Sequence, residues 1–103
     1  MDYSIKVLVD IYGNLLKLRN YPNLKELDIW CNSFDEELKN LLLGLEVLKI
    51  ISNNFNQELD KLPEDLKRLY IRKEYLESYS LEELLDMIPL GCELYVDGKK
   101  IDL

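Results

Sequence analysis

No histidine occurs among the 103 residues of this chain. That absence removes the commonest general base and the commonest metal ligand. The four glycines stand singly, as Gly13, Gly44, Gly91 and Gly98, and none belongs to a phosphate-cradling loop. Bases are few: 13 against 20 acids, a net charge of −7, which disfavours a general role on nucleic acid or anionic membrane, because phosphate binding needs a basic surface. No apolar run is long enough to span a bilayer, the Met1-Asp2 start lacks a basic-then-apolar leader, and no Asn-x-Ser/Thr sequon is present. The expectation is a cytoplasmic protein whose thiols stay reduced. Met1 reads as a true start, with a fragment of a longer chain left open.

Little chemistry is left once these absences are counted. Cys31 has no histidine to activate it and reads as a buried or inert thiol. Asp35, Glu36 and Glu37 lack the alternating ligands and central glycine of a calcium loop, so they read as a solvated acidic turn. No metal, no cofactor and no enzymatic activity are expected, because paired carboxylates for hydrolysis need a cleft.

What is present is a repeat. Leu24, Leu27, Ile29, Asn32 and Phe34 recur 21 residues later as Leu45, Leu48, Ile50, Asn53 and Phe55, and 21 residues later again as Leu66, Leu69, Ile71, Glu74 and Leu76. Only Glu74 breaks class. A partial copy precedes them, with Ile5 and Val7 in the strand positions, Asp10 in the Asn slot and Tyr12 in the Phe slot. A last copy follows at a longer spacing, with Leu94 and Val96 in the strand positions. The spacing L-x-x-L-x-L-x-x-N-x-L is that of a leucine-rich repeat. It predicts an α/β fold of one domain, residues 1–103: a short solenoid with short parallel strands near 4–8, 26–30, 47–51, 68–72 and 93–97. Its repeats lie near 4–23, 24–44, 45–65 and 66–91, followed by a cap at 92–103. The two cysteines, Cys31 and Cys92, then stand about three rungs apart, roughly 14 Å, which is too far for a disulfide.

Within a rung, the two strand leucine-type residues share a face because side chains alternate along a strand. Asn32 and Asn53 are placed to bond backbone groups that the turn leaves unpaired. Phe34 and Phe55 fold back over the core. Leu38, Leu41 and Leu45, and in the next rung Leu59, Leu62 and Leu66, fill a return arc. That arc is too short for a full helix and is interrupted by Pro63 in the second case, so it is expected to be irregular or 3-10. One rung cannot bury its own apolar face, so stability comes from stacking neighbours.

The C-terminal part departs from this pattern. Ser80-Leu81-Glu82-Glu83 is a capping box, followed by Leu84, Leu85 and Ile88 at helical spacing and stopped by Pro89 and Gly91. Asp97-Gly98 between two short runs predicts a hairpin with Val96 opposite Lys99 and Leu94 opposite Ile101, closing the array. At the other end only Met1, Asp2 and Tyr3 precede the first strand. That edge is either blunted by Asp2 and Lys6 or pairs with another copy.

At Phe55-Asn56-Gln57, Leu59, Leu62-Pro63, Leu66 and Leu69 the sequence resembles the FNIP repeat, a leucine-rich-repeat variant typical of social amoebae and giant viruses. The resemblance implies a curved array that binds other proteins, and a viral or amoebal source. Some members carry an F-box before the array. The repeat pattern here covers nearly the whole chain, so that role does not transfer. Glu58 stands where the family usually has proline, and the preceding copy reads Phe34-Asp35-Glu36.

With the strand leucines inward, three outward ladders follow: Ser4, Glu26, Val47, Arg68, Glu93; then Lys6, Asp28, Lys49, Tyr70, Tyr95; then Leu8, Trp30, Ile51, Arg72, Asp97. The alternation of Lys6, Asp28 and Lys49 reads as register support. The third ladder opens with three apolar residues that the repeat's own packing does not require, and such contiguous surface marks an interaction site. Trp, Tyr and Arg also dominate interface hot spots. Leu8, Trp30, Ile51, Tyr70 and Arg72, with Arg68 and Lys49 as a basic centre, are therefore the expected partner-binding patch. The expected function is protein–protein interaction through the concave strand face. The alternative is a self-associating structural protein, a homo-oligomer joined through the open first strand and the apolar face.

Overall fold

A computed structural model describes residues 24–30 and 44–102, together with the backbone of 7–9. The expectations on Cys31, Asn32, Phe34, the acidic turn at Asp35 to Glu37, Leu38, Leu41, Asp10, Tyr12 and Leu103 lie outside the described residues.

The chain forms a small α/β fold. Its strands are β1 (Val7–Val9), β2 (Glu26–Trp30), β3 (Val47–Ile51), β4 (Arg68–Ile71), β5 (Glu93–Val96) and β6 (Lys99–Lys100). One α-helix, α1 (Leu81–Met87), and one 3-10 helix (Lys73–Glu77) lie between β4 and β5. Among the described residues the strands make a single six-stranded sheet in chain order. β1 to β5 pair in parallel, and β6 returns antiparallel to β5. Among the described residues no helix is long and apolar enough to cross a membrane.

Register explains the core. Leu27, Leu48, Leu69 and Leu94 stand opposite one another across β2 to β5 and are each 0% exposed. Ile29, Ile50 and Ile71 make a second buried row two residues on. Leu24, Leu45 and Leu66, at the entry to each strand, complete the layer. The backbone repeats with the side chains. Val47 N–H donates to Lys25 O, Arg68 N–H to Glu46 O and Glu93 N–H to Lys67 O, at equivalent points of successive copies.

The segment from β3 to β4 contains no helix. Phe55, Leu59, Pro63 and Leu66 turn inward there and Leu62 is half-buried. Asn53, expected to serve the turn, is exposed, and Ser52 beside it is buried. The period-two alternation runs one residue past the strand, and this sends Ser52 inward.

In the third copy the Phe slot was expected to fall on Leu76. Tyr75 takes it. Its ring stacks 5.7 Å from Phe55 and its hydroxyl donates to Gln57 O at 2.8 Å. The 3-10 helix changes the angle between successive side chains, so the inward position moves by one residue. Burial, with the nearby Tyr79, raises the Tyr75 hydroxyl's pKa far above its ordinary value.

Ser80 accepts from Glu83 N–H at 3.1 Å, and Glu83 accepts from Ser80 N–H at 3.2 Å, so the capping box starts α1 as expected. The helix buries Leu84. At the hairpin, Asp97 and Gly98 take φ of 49° and 83°, two consecutive left-handed residues as a tight two-residue turn requires. Val96 pairs with Lys99, and Ile101 N–H reaches Leu94 O at 2.8 Å.

The first strand differs from expectation. Val7 pairs with Glu26, Leu8 with Leu27 and Val9 with Asp28. The expected pairing set Leu8 against Trp30, three residues away. An odd slip exchanges the two faces of a strand, so Leu8 holds the register position of the core row, not of the outward patch. The run Ile5-Lys6-Val7-Leu8-Val9 explains the miss, since either register places an apolar residue on the core row.

Leu48→Ala should cost about 2–5 kcal/mol in urea unfolding, because it empties the centre of the leucine row. Ser80→Ala should cost about 1 kcal/mol in the same measurement, by removing half of the capping box.

A candidate binding groove on the strand face

The residues between the buried ones face the other way, and the parallel register lines them up. Asp28, Lys49, Tyr70 and Tyr95 form one row across four strands. Lys49 Nζ stands 3.9 Å from an Asp28 oxygen and 5.0 Å from the centre of the Tyr70 ring. Tyr70 and Tyr95 stack at 4.4 Å with an interplanar angle of 11°. The row is thus a continuous chain of ion pair, cation–π contact and ring stack.

One step along, Glu26 also approaches Lys49 Nζ, at 4.0 Å. Arg68 lies 3.7 Å from Glu93, which takes a 2.8 Å contact from Lys100. The Lys100 hydrogen bond holds the Glu93 carboxyl below the usual range. One step the other way, Trp30 and Ile51 are neighbours, and Arg72 follows just past β4. Asp97 fixes Arg72: its Oδ1 is 3.3 Å from Arg72 Nε and accepts from Lys73 N–H at 3.1 Å.

These residues enclose a depression of about 450 Å³ lined by Trp30, Lys49, Ile51, Tyr70, Ile71, Arg72, Asp97 and Gly98. Five of the expected partner-binding residues, Trp30, Lys49, Ile51, Tyr70 and Arg72, are thereby brought together. Arg68 stands apart and is engaged by Glu93. Leu8 is separated by its register. Of the basic centre expected from Lys49 and Arg68, Lys49 is paired with Asp28 and Glu26, and Arg68 with Glu93.

Tyr95, Asp97 and Gly98 were not among the expected residues. The signal for Tyr95 and Asp97 was available, since both continue the outward ladders. Gly98 enters through the hairpin turn, which brings the chain back to the mouth of the depression.

Asp28 departs furthest from expectation. It was placed in an outward ladder as register support, yet it is 6% exposed. Its Oδ1 has no hydrogen-bond partner among the described residues. Burial raises its pKa to about 6; Lys49 opposes the rise and Glu26 adds to it.

No group of three or more potential metal ligands occurs among the described residues. Cys92 is a buried free thiol pushed up to about 11 by burial and the nearby Glu93, which keeps it protonated and unreactive at neutral pH. The groove offers a largely apolar surface with cations fixed by carboxylates, which suits recognition. Comparison with known proteins gives no match to a family model, a curated protein or a solved structure.

The Tyr70–Tyr95 stack should appear in a double-mutant cycle. Replacing each tyrosine with leucine, singly and together, should give a coupling energy of about 1 kcal/mol in chemical unfolding.

Proposed function

We propose that this chain is a short leucine-rich-repeat solenoid of the FNIP type that works in the cytoplasm as a protein–protein interaction module, its partner lying across the strand face. The 21-residue recurrence of leucines and isoleucines, the parallel strands in chain order and the irregular β3–β4 connection support the solenoid. The FNIP assignment, and with it a viral or amoebal source, rests on Phe55-Asn56-Gln57 and Leu62-Pro63.

The observation that carries the binding role is Trp30. It is the chain's only tryptophan and remains 54% exposed, beside Ile51 at the rim of a depression whose other side is Tyr70 and Arg72. A large aromatic left in water contributes nothing to the fold's own core, whereas aromatic and arginine anchors dominate binding energy at interfaces. The side chains stand on a hydrogen-bonded sheet, so an extended partner segment would bind with little ordering cost on this side.

A second role is favoured by β1. It is the terminal strand of the sheet, and no strand pairs with its outer edge among the described residues. A parallel edge of this kind can accept another copy, with Trp30 and Ile51 extending the contact. The protein would then be a homo-oligomer with no separate client.

Affinity capture from a host-cell lysate with wild type and the Trp30→Ala, Arg72→Glu double variant tests the first role. A protein held by wild type should be lost by the variant, and Trp30→Ala alone should weaken its binding about thirty-fold, with unfolding transitions nearly unchanged. Unfolding of Trp30→Ala would overturn the placement of this face. Sedimentation equilibrium decides the second role: a monomer well above micromolar concentration removes self-assembly.

A further inference from the structure

Glu26 and Asp28 occupy alternate positions of β2 and so share a face. Lys49, in register with Asp28 on β3, reaches both, at 4.0 and 3.9 Å. Two carboxyl groups therefore share one ammonium. Fully ionised, the group carries one negative charge in excess. With one proton it is neutral.

The environment favours the proton. The Asp28 side chain is 9% exposed, and its Oδ1 receives no hydrogen bond among the described residues. A buried carboxylate oxygen without a donor is costly. A protonated Asp28 can instead donate to the neighbouring Glu26 carboxylate. No other described charge on the packed elements compensates. β1 sets Val7 and Val9 in register with Glu26 and Asp28. β3 adds Val47 and Ile51 around Lys49. On β4, Tyr70 lies under Lys49, and Arg68 is engaged by Glu93.

We propose that Glu26, Asp28 and Lys49 form a proton-operated charge latch beside the groove: protonation of the carboxyl pair makes the group neutral, so that Lys49, already over Tyr70, presents its charge to the groove against one carboxylate instead of two, and loss of that proton restores the negative excess. Its consequence for a partner rests on the groove being the binding surface. The latch itself belongs to the free protein. Lys49 lines the same depression as Trp30, so the groove gains positive potential as the pH falls. The chain has no histidine, so no side chain of ordinary pKa titrates between about pH 5 and 7. A step in that window identifies a displaced carboxyl.

The sign for stability follows. An acid whose folded-state pKa is raised, here from 3.8 to about 6, stabilises the fold below its unfolded value. That contribution is lost as pH rises through the folded value. Asp28→Asn keeps the shape and removes the charge. It should match wild type in thermal midpoint near pH 4 and exceed it by several degrees near pH 7.5.

The deciding experiment uses the free protein and needs no partner, so its failure is distinct from failure of the binding role. The Asp28 carboxyl carbon is followed by NMR against pH, and Trp30 fluorescence is quenched with iodide, with acrylamide as the uncharged control. The Asp28 midpoint should lie near pH 6, fall in Glu26→Gln and rise in Lys49→Met. Iodide quenching of wild type should be roughly 1.5-fold stronger near pH 5 than near pH 7.5, as expected for about one unit of charge lost beside the same depression under partial screening. That pH response should vanish in Asp28→Asn and Lys49→Met, with acrylamide quenching level throughout. An Asp28 midpoint in the ordinary carboxyl range, or an iodide response that survives in both variants, overturns the latch. If Asp28→Asn does not fold, the opposite shifts in Glu26→Gln and Lys49→Met still decide it.

Discussion

Every other feature of this molecule depends on the in-register stacking of the leucine row. Leu27, Leu48, Leu69 and Leu94 lie at the same height in four successive parallel strands, and all are 0% exposed. No single copy can remove its own row from water. Each strand is only four or five residues long and gains its stability from the strands on either side. The isoleucines two residues on repeat the arrangement, and the backbone hydrogen bonds at Lys25, Glu46 and Lys67 lock the same register. Parallel pairing between distant segments sets the spacing at which everything else must fit.

That constraint builds the outer face as a by-product. When the leucines align, the residues between them must align too. Asp28, Lys49, Tyr70 and Tyr95 become a row in which each side chain touches the next. Chemistry scattered over the sequence is thereby brought into one depression, and Trp30 is left at its rim as an exposed aromatic. The charges there are not free. Asp97 holds Arg72, Glu93 holds Arg68, and Glu26 and Asp28 share Lys49. Such pairing fixes side-chain directions at small energetic gain on an exposed surface, so it serves shape more than stability. The Glu26–Asp28–Lys49 group is the exception, because one of its members is buried.

The ends of the sheet solve their edges differently. At β6 the sheet stops after two residues, both lysines and both exposed, a short charged edge that resists further pairing. The tight turn at Asp97 and Gly98 makes that return possible and also places Asp97 where it can hold Arg72. At the other end stands β1, with three apolar residues in register with Glu26, Leu27 and Asp28.

The sequence by itself determined the strand positions of β2 to β5, the capping box of α1, the hairpin at Asp97-Gly98 and most of the groove's lining, because each rests on local chemistry or on a period visible in one dimension. Trp30, Ile51, Tyr70 and Arg72 were legible as neighbours because a fixed repeat turns sequence offset into distance. Tertiary structure decided the rest. The register of β1 was ambiguous in a run apolar on both faces, and only pairing with β2 set Leu8 opposite Leu27. Tyr75 displaced Leu76 because a 3-10 turn formed where an irregular arc would also have satisfied the pattern. Asp28 looked like any strand carboxylate, since its alternation says which way it points and nothing of what covers it. Burial depends on the whole surrounding surface, and that is fixed only when the strands come together.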